Sequence, residues 1–265
     1  MRCLISSSVK VWDLRTTHNH RRGRATPLST TVQPDSHSKY RHFGLSSLSL
    51  GTDASRLYAL CRDNTVYAFA TSHLILGSAP ELSSSSKPRR IGGGKDKAGL
   101  GPIYGFRHPS LHATTFYVKT AVRPAKDDKS EILAVGSSDN TPILFPTDER
   151  YLSQQQHRPE PQLPRIASAR PALSRVNSFS LSAKLEDTIP IYQHGTPLVR
   201  GHTREVTAVA WAHNGELVSV SDDYTVRCWR EGHQARELRS TGESEGKRWG
   251  CGWAETSQGW DDDDG

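Results

Sequence analysis

The stretch 201–230 most constrains the fold, because it predicts three short strands joined by two tight turns. Residues 206–211 alternate with the period of two that is typical of a half-buried strand. The Asn-Gly pair at 214–215 marks a hairpin, since both residues tolerate positive φ. Residues 217–221 and 225–229 supply the second and third strands, the latter rich in β-forming side chains. Three antiparallel strands in so few residues form one repeat unit and predict an all-β fold of small sheets.

Weaker copies of this unit precede it, and they share its ending: a turn followed by a strand that closes on an aromatic residue. The segment 9–15 ends in this way at Trp12. Candidate first strands precede two of the other turns, at 43–51 and 115–122. In three units a turn aspartate lies six residues before the aromatic residue: Asp63 and Phe69, Asp139 and Phe145, and Asp223 and Trp229.

The spacing between the units predicts long insertions. The closing aromatic residues stand 57, 76 and 84 residues apart, whereas one four-stranded unit needs about 40–45. Two stretches rich in Ser, Gly, Pro and Gln, about 72–101 and 147–190, cannot offset their ordering entropy by burial and are predicted to be disordered insertions. The predicted organisation is a partial repeat domain over 1–231, with sheet segments at about 1–16, 40–71, 114–147 and 199–231, followed by a polar, acidic tail over 232–265.

Four polar or aromatic side chains of the clearest unit, His202, Ser219, Asp223 and Trp229, have the spacing of a structural hydrogen-bond chain. A buried imidazole needs partners for both nitrogens; Asp can bind one, and Ser can bridge the other to an indole N–H. Leaving one such group unpaired costs about 1–3 kcal/mol. Ser221 is an alternative to Ser219. Asp63 and Asp139 are expected to take the place of Asp223 in their own units, which lack a Gly-His opening and a tryptophan and should rest more on packing.

No constellation of residues favours an enzyme, a metal or a cofactor. A Ser-His-Asp triad is not favoured, because its serine would lie in a regular strand and not on a strained turn. The pairs His18/His20 and His108/His112 lack further ligands. The four cysteines form no CxxC pair, which fits a reducing compartment, either nuclear or cytosolic. No apolar run approaches 18 residues and the N-terminus lacks a secretory pattern, so neither a membrane span nor a signal peptide is expected.

The charge is uneven along the chain. Residues 1–130 carry 20 Lys and Arg against 8 Asp and Glu, whereas residues 131–265 carry 14 against 20. A basic half can serve an acidic partner or a nucleic acid. Interleaved aromatic residues are missing from the basic stretches 18–24 and 87–97, so the sequence does not favour direct nucleic-acid binding.

The order Gly-His, strand Ser, turn Asp and strand Trp in 201–230 resembles the WD-repeat family. The resemblance implies an all-β WD-repeat β-propeller, in which these residues form the network within a blade. The VWDLR segment at 11–15 resembles the signature by which WD-repeat receptors dock on the damaged-DNA-binding adaptor of a cullin–RING ubiquitin ligase. We expect Trp12 to be buried, while Asp13 and Arg15 emerge at the rim, where the arginine fork can bind a partner carboxylate or carbonyl groups.

Longer stretches resemble the denticleless family of WD-repeat substrate receptors. They are LYALCRDNTVYAF at 57–69, TFYVKTAVRPAKDDKSEILAVGSSDNTPILF at 115–145, GHTREVTAVAWAHNGELVSVSDDYTVRCWRE at 201–231 and VKVWDLRTTHNHRRGR at 9–24. The long insertions and the Trp-Gly-Cys-Gly-Trp motif at 249–253 resemble the fungal branch.

The resemblance implies a nuclear, non-catalytic receptor subunit without a cofactor. It would bind the adaptor directly and the cullin scaffold indirectly. It would recruit degron-bearing replication-licensing and cell-cycle proteins, held on the chromatin-bound sliding clamp, for ubiquitination. The family should have seven blades and about three and a half are visible, so we expect an N-terminally truncated fragment with an incomplete propeller. The alternative is a WD-repeat scaffold for a nuclear complex with no ligase role.

Overall fold

The computed structural model describes residues 8–15, 27–34, 37, 43–77, 100–126, 129–148, 152, 189–198 and 201–230, together with the backbone of 251–253. Within these ranges the chain is almost entirely β-structure. The strands are β1 (Lys10–Val11), β2 (Ser29–Thr30), β3 (Leu45–Leu50), β4 (Arg56–Cys61), β5 (Thr65–Ala70), β6 (Tyr104–Phe106), β7 (Thr120–Arg123), β8 (Ile132–Val135), β9 (Ile143–Pro146), β10 (Ile191–Tyr192), β11 (Thr196–Pro197), β12 (Val206–Trp211), β13 (Leu217–Ser221), β14 (Val226–Arg230) and β15 (Cys251–Trp253), and one helix, α1, spans Thr71–Leu76.

The strands form four sheets, which we number I to IV along the chain. Sheet I pairs β1 with β2. Sheet II has the antiparallel order β3-β4-β5-β6, with β10 added in parallel to β6. Sheet III has the antiparallel order β7-β8-β9-β11. Sheet IV has the order β12-β13-β14, with β15 parallel to β14. These sheets confirm the all-β architecture of the WD-repeat β-propeller class.

The sheets pack face to face, because alternate residues of each strand point to opposite faces. The layer between sheets I and II contains Val9, Ala59, Cys61, Tyr67, Phe69 and Leu74. The layer between sheets II and III contains Tyr58, Leu60, Val66, Ala68, Tyr104, Phe106, Leu133, Val135, Ile143 and Phe145. The layer between sheets III and IV contains Ile132, Ala134, Leu144, Val206, Val209, Leu217 and Trp229. Strands β5, β8 and β9 are buried throughout, and for this reason they read as continuous apolar runs.

In sheets I and III the outer strand belongs, in sequence, to the repeat that follows it. Strand β2 closes sheet I and precedes β3 of sheet II, and β11 closes sheet III and precedes β12 of sheet IV. One sequence repeat therefore supplies the outer strand of one sheet and the first three strands of the next sheet, which is an offset of one strand between repeat and sheet. These outer strands are only two residues long, too short for a periodic signal, and the sequence did not predict them.

Three features differ from the sequence-based expectations. The first strand of sheet III starts at Thr120, so residues 115–119 of the expected strand form a loop. Helix α1 occupies the beginning of the first predicted insertion. Residues 78–99 of that insertion, and nearly all of the second, lie outside the described residues. In the predicted tail, Cys251–Trp253 form β15, and the remaining tail residues lie outside the description. No described helix is long and apolar enough to cross a membrane.

The turns between the second and third strands of sheets II, III and IV share one backbone conformation. The residue after the turn aspartate has φ +64° at Asn64, +64° at Asn140 and +63° at Tyr224. Asparagine tolerates this left-handed region, whereas a bulky aromatic residue rarely adopts it. The third turn is therefore strained relative to the other two.

Candidate functional site

The turn network of sheet IV brings together four predicted residues. The His202 ring is buried, with Nε2 2.7 Å from Ser219 Oγ and Nδ1 3.2 Å from Asp223 Oδ2. Trp229 Nε1 donates to the same Ser219 oxygen at 2.7 Å. Because that hydroxyl accepts the indole proton, its own proton points to His202 Nε2, and the imidazole carries its proton on Nδ1 toward Asp223. These hydrogen bonds link Trp229 in the core, through Ser219 and His202, to Asp223 in the turn.

The protonation states of His202 and Asp223 are those of a structural hydrogen bond and not of a catalytic base. Burial lowers the pKa of His202, although the hydrogen bond and the charge of Asp223 oppose the shift. Burial also disfavours the charge on Asp223, but hydrogen bonds from Thr225 and Thr203 outweigh it and hold its pKa well below the usual range. Ser219 is fully buried, so no substrate carbonyl can reach its hydroxyl. A neutral imidazole thus faces an ionised carboxylate.

The alternative serine has a different role. Ser221 Oγ donates to the backbone oxygen of Arg204 at 3.0 Å and accepts from the Asp223 N–H at 3.3 Å. It therefore fixes the loop before β12 to the turn after β13. Ser219, and not Ser221, bridges the histidine to the tryptophan.

Sheet II contains a second network that the sequence reasoning missed. His37 Nε2 lies 2.6 Å from Asp63 Oδ2, and Tyr67 donates its hydroxyl to that oxygen, also at 2.6 Å. Both His37 and Tyr67 are buried. This unit lacks a Gly-His pair, as expected, but it does not rest on packing alone, because His37 enters the network from a loop without that pair. The available signal was a histidine 26 residues before the turn aspartate, compared with 21 in sheet IV.

Cys61 lies beside this second network, so that donor atoms of His37, Cys61 and Asp63 fall within 4.8 Å of one another. Such a trio can in principle hold a transition metal. Burial, followed by the charge of Asp63, raises the pKa of the Cys61 thiol well above its ordinary value. Cys61 also stands two residues before the turn aspartate, as Ser221 does in sheet IV. The trio is explained by the repeat without an ion.

The corresponding turn of sheet III is built differently from the prediction. Asp139 is exposed, and its backbone N–H donates to Ser137 Oγ at 3.2 Å. Ser137 Oγ also donates to the backbone oxygen of Ser110 and accepts from the backbone N–H of His112. Among the residues that the structure describes, no histidine ring bonds the Asp139 carboxylate. Ser137 stands two residues before the turn aspartate and repeats the bonds of Ser221, since it donates to a backbone oxygen of the preceding loop and accepts from the aspartate N–H. The histidine contact expected of Asp139 is not found among the described residues.

The Trp-Asp-x-Arg segment follows β1, and it also differs from the expectation. Trp12 is 42% exposed and not buried, because β1 ends at Val11 and carries the tryptophan beyond the two-stranded sheet I. Arg15 is 91% exposed in its side chain, and it bonds Asp13 through Nε at 3.1 Å and Nη2 at 3.2 Å. The Arg15 hydrogen bonds lower the pKa of Asp13. The segment thus presents an oriented guanidinium three residues after a partly exposed indole.

Comparison with known proteins supports the repeat assignment. The family described as "WD domain, G-beta repeat" matches residues 195–230. The match starts at β11, the outer strand of sheet III, and ends with β14 of sheet IV, so it follows the one-strand offset between repeat and sheet.

Relatives extend the similarity over most of the chain. The chain is 27% identical to "Cell division cycle protein cdt2" of Schizosaccharomyces pombe over 94% of its own length and 37% of the relative's. It is 26% identical to "Denticleless protein homolog" of Danio rerio, covering 89% of this chain and 26% of that one. It is 25% identical to "Protein lethal(2)denticleless" of Drosophila melanogaster, covering 84% and 20%. The chain therefore spans well under half the length of these relatives. The WD repeat at 195–230 and the similarity over most of the chain support its assignment as a denticleless-type WD-repeat protein.

Proposed function

We propose that this chain is the adaptor-binding part of a substrate-receptor subunit of a cullin–RING ubiquitin ligase. The subunit recruits replication-licensing and cell-cycle proteins, held on the chromatin-bound sliding clamp, for ubiquitination in the nucleus. It is non-catalytic, since its one Ser-His-Asp constellation among the described residues is buried inside sheet IV. Similarity to denticleless proteins over most of the chain supports the assignment.

The observation that carries the proposal is the geometry after β1. Trp12 and Arg15 are both exposed and stand three residues apart in the sequence, and Asp13 orients the guanidinium by accepting two hydrogen bonds from it. A planar guanidinium can bind carboxylate or carbonyl oxygens in a forked geometry that lysine cannot reproduce. An exposed tryptophan beside it supplies the apolar contact that is typical of interface anchors. We propose that Trp12, Asp13 and Arg15 contact the damaged-DNA-binding adaptor.

The test is a pull-down of the purified adaptor with the 265-residue chain and its variants. Arg15→Ala and Asp13→Ala should each weaken binding by about tenfold, and Arg15→Lys should not restore it. Lys10→Ala is the matched control, because Lys10 is an exposed cation on β1 and should leave binding unchanged. Thermal unfolding of each variant checks that the fold persists. Equal adaptor binding by the wild type and a folded Asp13→Ala/Arg15→Ala double variant would contradict the proposal and favour a WD-repeat scaffold without a ligase role.

A further inference from the structure

The last two strands of sheet IV each carry a cysteine. The β14–β15 pairing sets Cys228 directly opposite Cys251 in the register of these parallel strands. Cys251 is the central residue of the Trp-Gly-Cys-Gly-Trp motif at 249–253, to which the proposed adaptor contact gives no role. The two cysteines stand 23 positions apart in the sequence, so the fold and not the local chain brings them together.

The equivalent position carries no cysteine pair in the other described sheets. It is the residue before the closing aromatic residue, paired with a residue of the neighbouring outer strand. The pairs are Val11 and Ser29 in sheet I, Ala68 and Tyr104 in sheet II, and Leu144 and Thr196 in sheet III. Two thiols at this position are therefore a feature of sheet IV and not a requirement of the repeat.

Cys228 lies on the face of sheet IV that points away from sheet III. Its neighbour Trp229 is buried in the layer between sheets III and IV, and successive residues of a strand point to opposite faces. Val226, two residues earlier and on the face of Cys228, is 58% exposed, and Cys228 itself is partly exposed. A small thiol reagent can therefore reach Cys228, whereas Cys61 is fully buried.

The register places the two cysteines within the span of a disulfide. Partner residues of neighbouring strands belong to the same face of a sheet, and the strands lie about 4.8 Å apart. This spacing falls within the Cα separation of about 4.4–6.8 Å that is found in disulfides, although the Cβ atoms must approach to about 3.5–4.5 Å. The bond therefore requires a small inward shift of β15, and a disulfide of this kind is more readily reduced than an unstrained one.

We propose that Cys228 and Cys251 form a reversible disulfide, which fastens β15 to sheet IV when the glutathione pool becomes oxidised. In a reducing compartment a disulfide is usually transient and redox-sensing. Strand β15 has three residues and is the outermost strand of its sheet, so few hydrogen bonds hold it. A covalent link to β14 restricts its detachment. The proposal does not depend on the ligase role, because both cysteines lie outside the segment 12–15.

The chemistry is a thiol–disulfide exchange in two steps. One protein thiolate attacks a sulfur of oxidised glutathione, which releases one reduced glutathione and leaves a mixed disulfide. The second protein thiolate attacks the protein sulfur of that mixed disulfide and releases the second glutathione. Two protein thiols are oxidised and one glutathione disulfide is reduced, and the two protons pass from the cysteines to the released thiolates. Glu216 Oε2 accepts a hydrogen bond from Cys228 Sγ at 3.6 Å, so this carboxylate is placed to take the Cys228 proton first.

The probe is a glutathione buffer, applied to the purified 265-residue chain at increasing ratios of the oxidised to the reduced form. The remaining thiols are alkylated during denaturation, and the protein is digested with trypsin. Trypsin leaves Cys228 in the peptide 228–230 and Cys251 in the peptide 249–265, so a disulfide between them has a unique mass. We expect this linked peptide to form with oxidised glutathione and to disappear with excess reduced glutathione.

A shift of register separates proximity from simple reactivity. In Cys251→Ser/Trp253→Cys the second thiol moves two residues, about 7 Å, along β15, beyond the Cα separation that a disulfide spans. The yield of linked peptide should fall at least tenfold at the same glutathione ratio. Adding Cys228→Ser/Arg230→Cys places both thiols at the next partner positions on the same face, 230 and 253, and should restore the link.

Hydrogen exchange shows whether the disulfide fastens β15. The amides of residues 251–253 should exchange at least tenfold more slowly in the oxidised wild type than in the reduced wild type. Cys251→Ser is the matched control, and its exchange should be the same in both buffers.

Three results would overturn the proposal. The two cysteines take up glutathione separately without forming the linked peptide, the register-shifted variant forms the link as well as the wild type, or the amides of 251–253 exchange equally fast in both forms of the wild type. The adaptor pull-down tests the ligase role separately, so the failure of either proposal leaves the other standing.

Discussion

Replacement of Ser219 by alanine is the sharpest test of the buried network. The Ser219 hydroxyl is 2.7 Å from both His202 Nε2 and Trp229 Nε1. Alanine keeps the packing of the strand but leaves a buried acceptor and a buried donor without partners. Each such group costs about 1–3 kcal/mol, so we expect a loss of about 3 kcal/mol in the free energy of unfolding.

The loss can be measured by urea unfolding at neutral pH, followed through tryptophan fluorescence. With a urea dependence of about 2–3 kcal/mol per molar, the midpoint should fall by about 1 M. Ser221→Ala is the matched control on the same strand. Its hydroxyl bonds two backbone groups of surface loops that water can reach, so the loss should be about 1 kcal/mol or less.

Equal stability of the two variants would refute the predicted role of the buried network. Equal loss would mean that the network contributes no more than a surface turn, and that the neutral His202 tautomer does not depend on Ser219. No loss in Ser219→Ala would show that the indole and imidazole groups find other partners.

Two further predictions concern pH and the turn carboxylates. Burial lowers the pKa of His202 from 6.5, so the folded state binds a proton on this ring less readily than the unfolded state does. The stability that His202 contributes is therefore present above about pH 6.5 and is lost as the pH falls below that value. His202→Gln should therefore flatten the decline in urea midpoint between about pH 7.5 and 5.5, and an unchanged slope would contradict the assignment. Asp63→Ala should lower the free energy of unfolding by about 2–4 kcal/mol, because it leaves two buried groups at 2.6 Å without their partner. Asp139→Ala, on an exposed turn, should lower it by less than about 0.5 kcal/mol. Equal urea midpoints of the two variants would refute this contrast.

The sequence predicted sheet IV well, because every local signal agrees there. Alternating strands, an Asn-Gly hairpin and polar residues at network spacing all indicate the same unit, and the structure has its three central strands at those positions. The residues 115–119 show the opposite case. Their β-forming side chains predicted a strand, but Thr115 bonds Glu205 from another sheet and holds the segment in a loop. Thr115 and Glu205 are far apart in the sequence, so local β-propensity does not reveal their contact.

The turn residues show why spacing alone cannot identify a network. Asp63 and Asp139 stand equally far from their aromatic residues, yet within the described part of the chain only Asp63 bonds a histidine. The difference depends on the loop before the first strand, whose length varies between repeats. His37 and His202 reach equivalent positions through loops of different sequence, whereas the turn of sheet III is held by Ser137, the counterpart of Ser221. Loop paths of this kind are fixed by tertiary contacts, which a single sequence does not reveal.

The one-strand offset between repeat and sheet affects how the protein melts. In a simple stacked array, each repeat can open alone, since its internal bonds lie within one stretch of chain. Here the outer strand β11 and the loop that carries His202 belong to one repeat but hold two neighbouring sheets. Opening that repeat removes an edge from sheet III as well as the core of sheet IV. Sheets III and IV should therefore unfold together as one cooperative unit, and a proteolytic cut between them should loosen both.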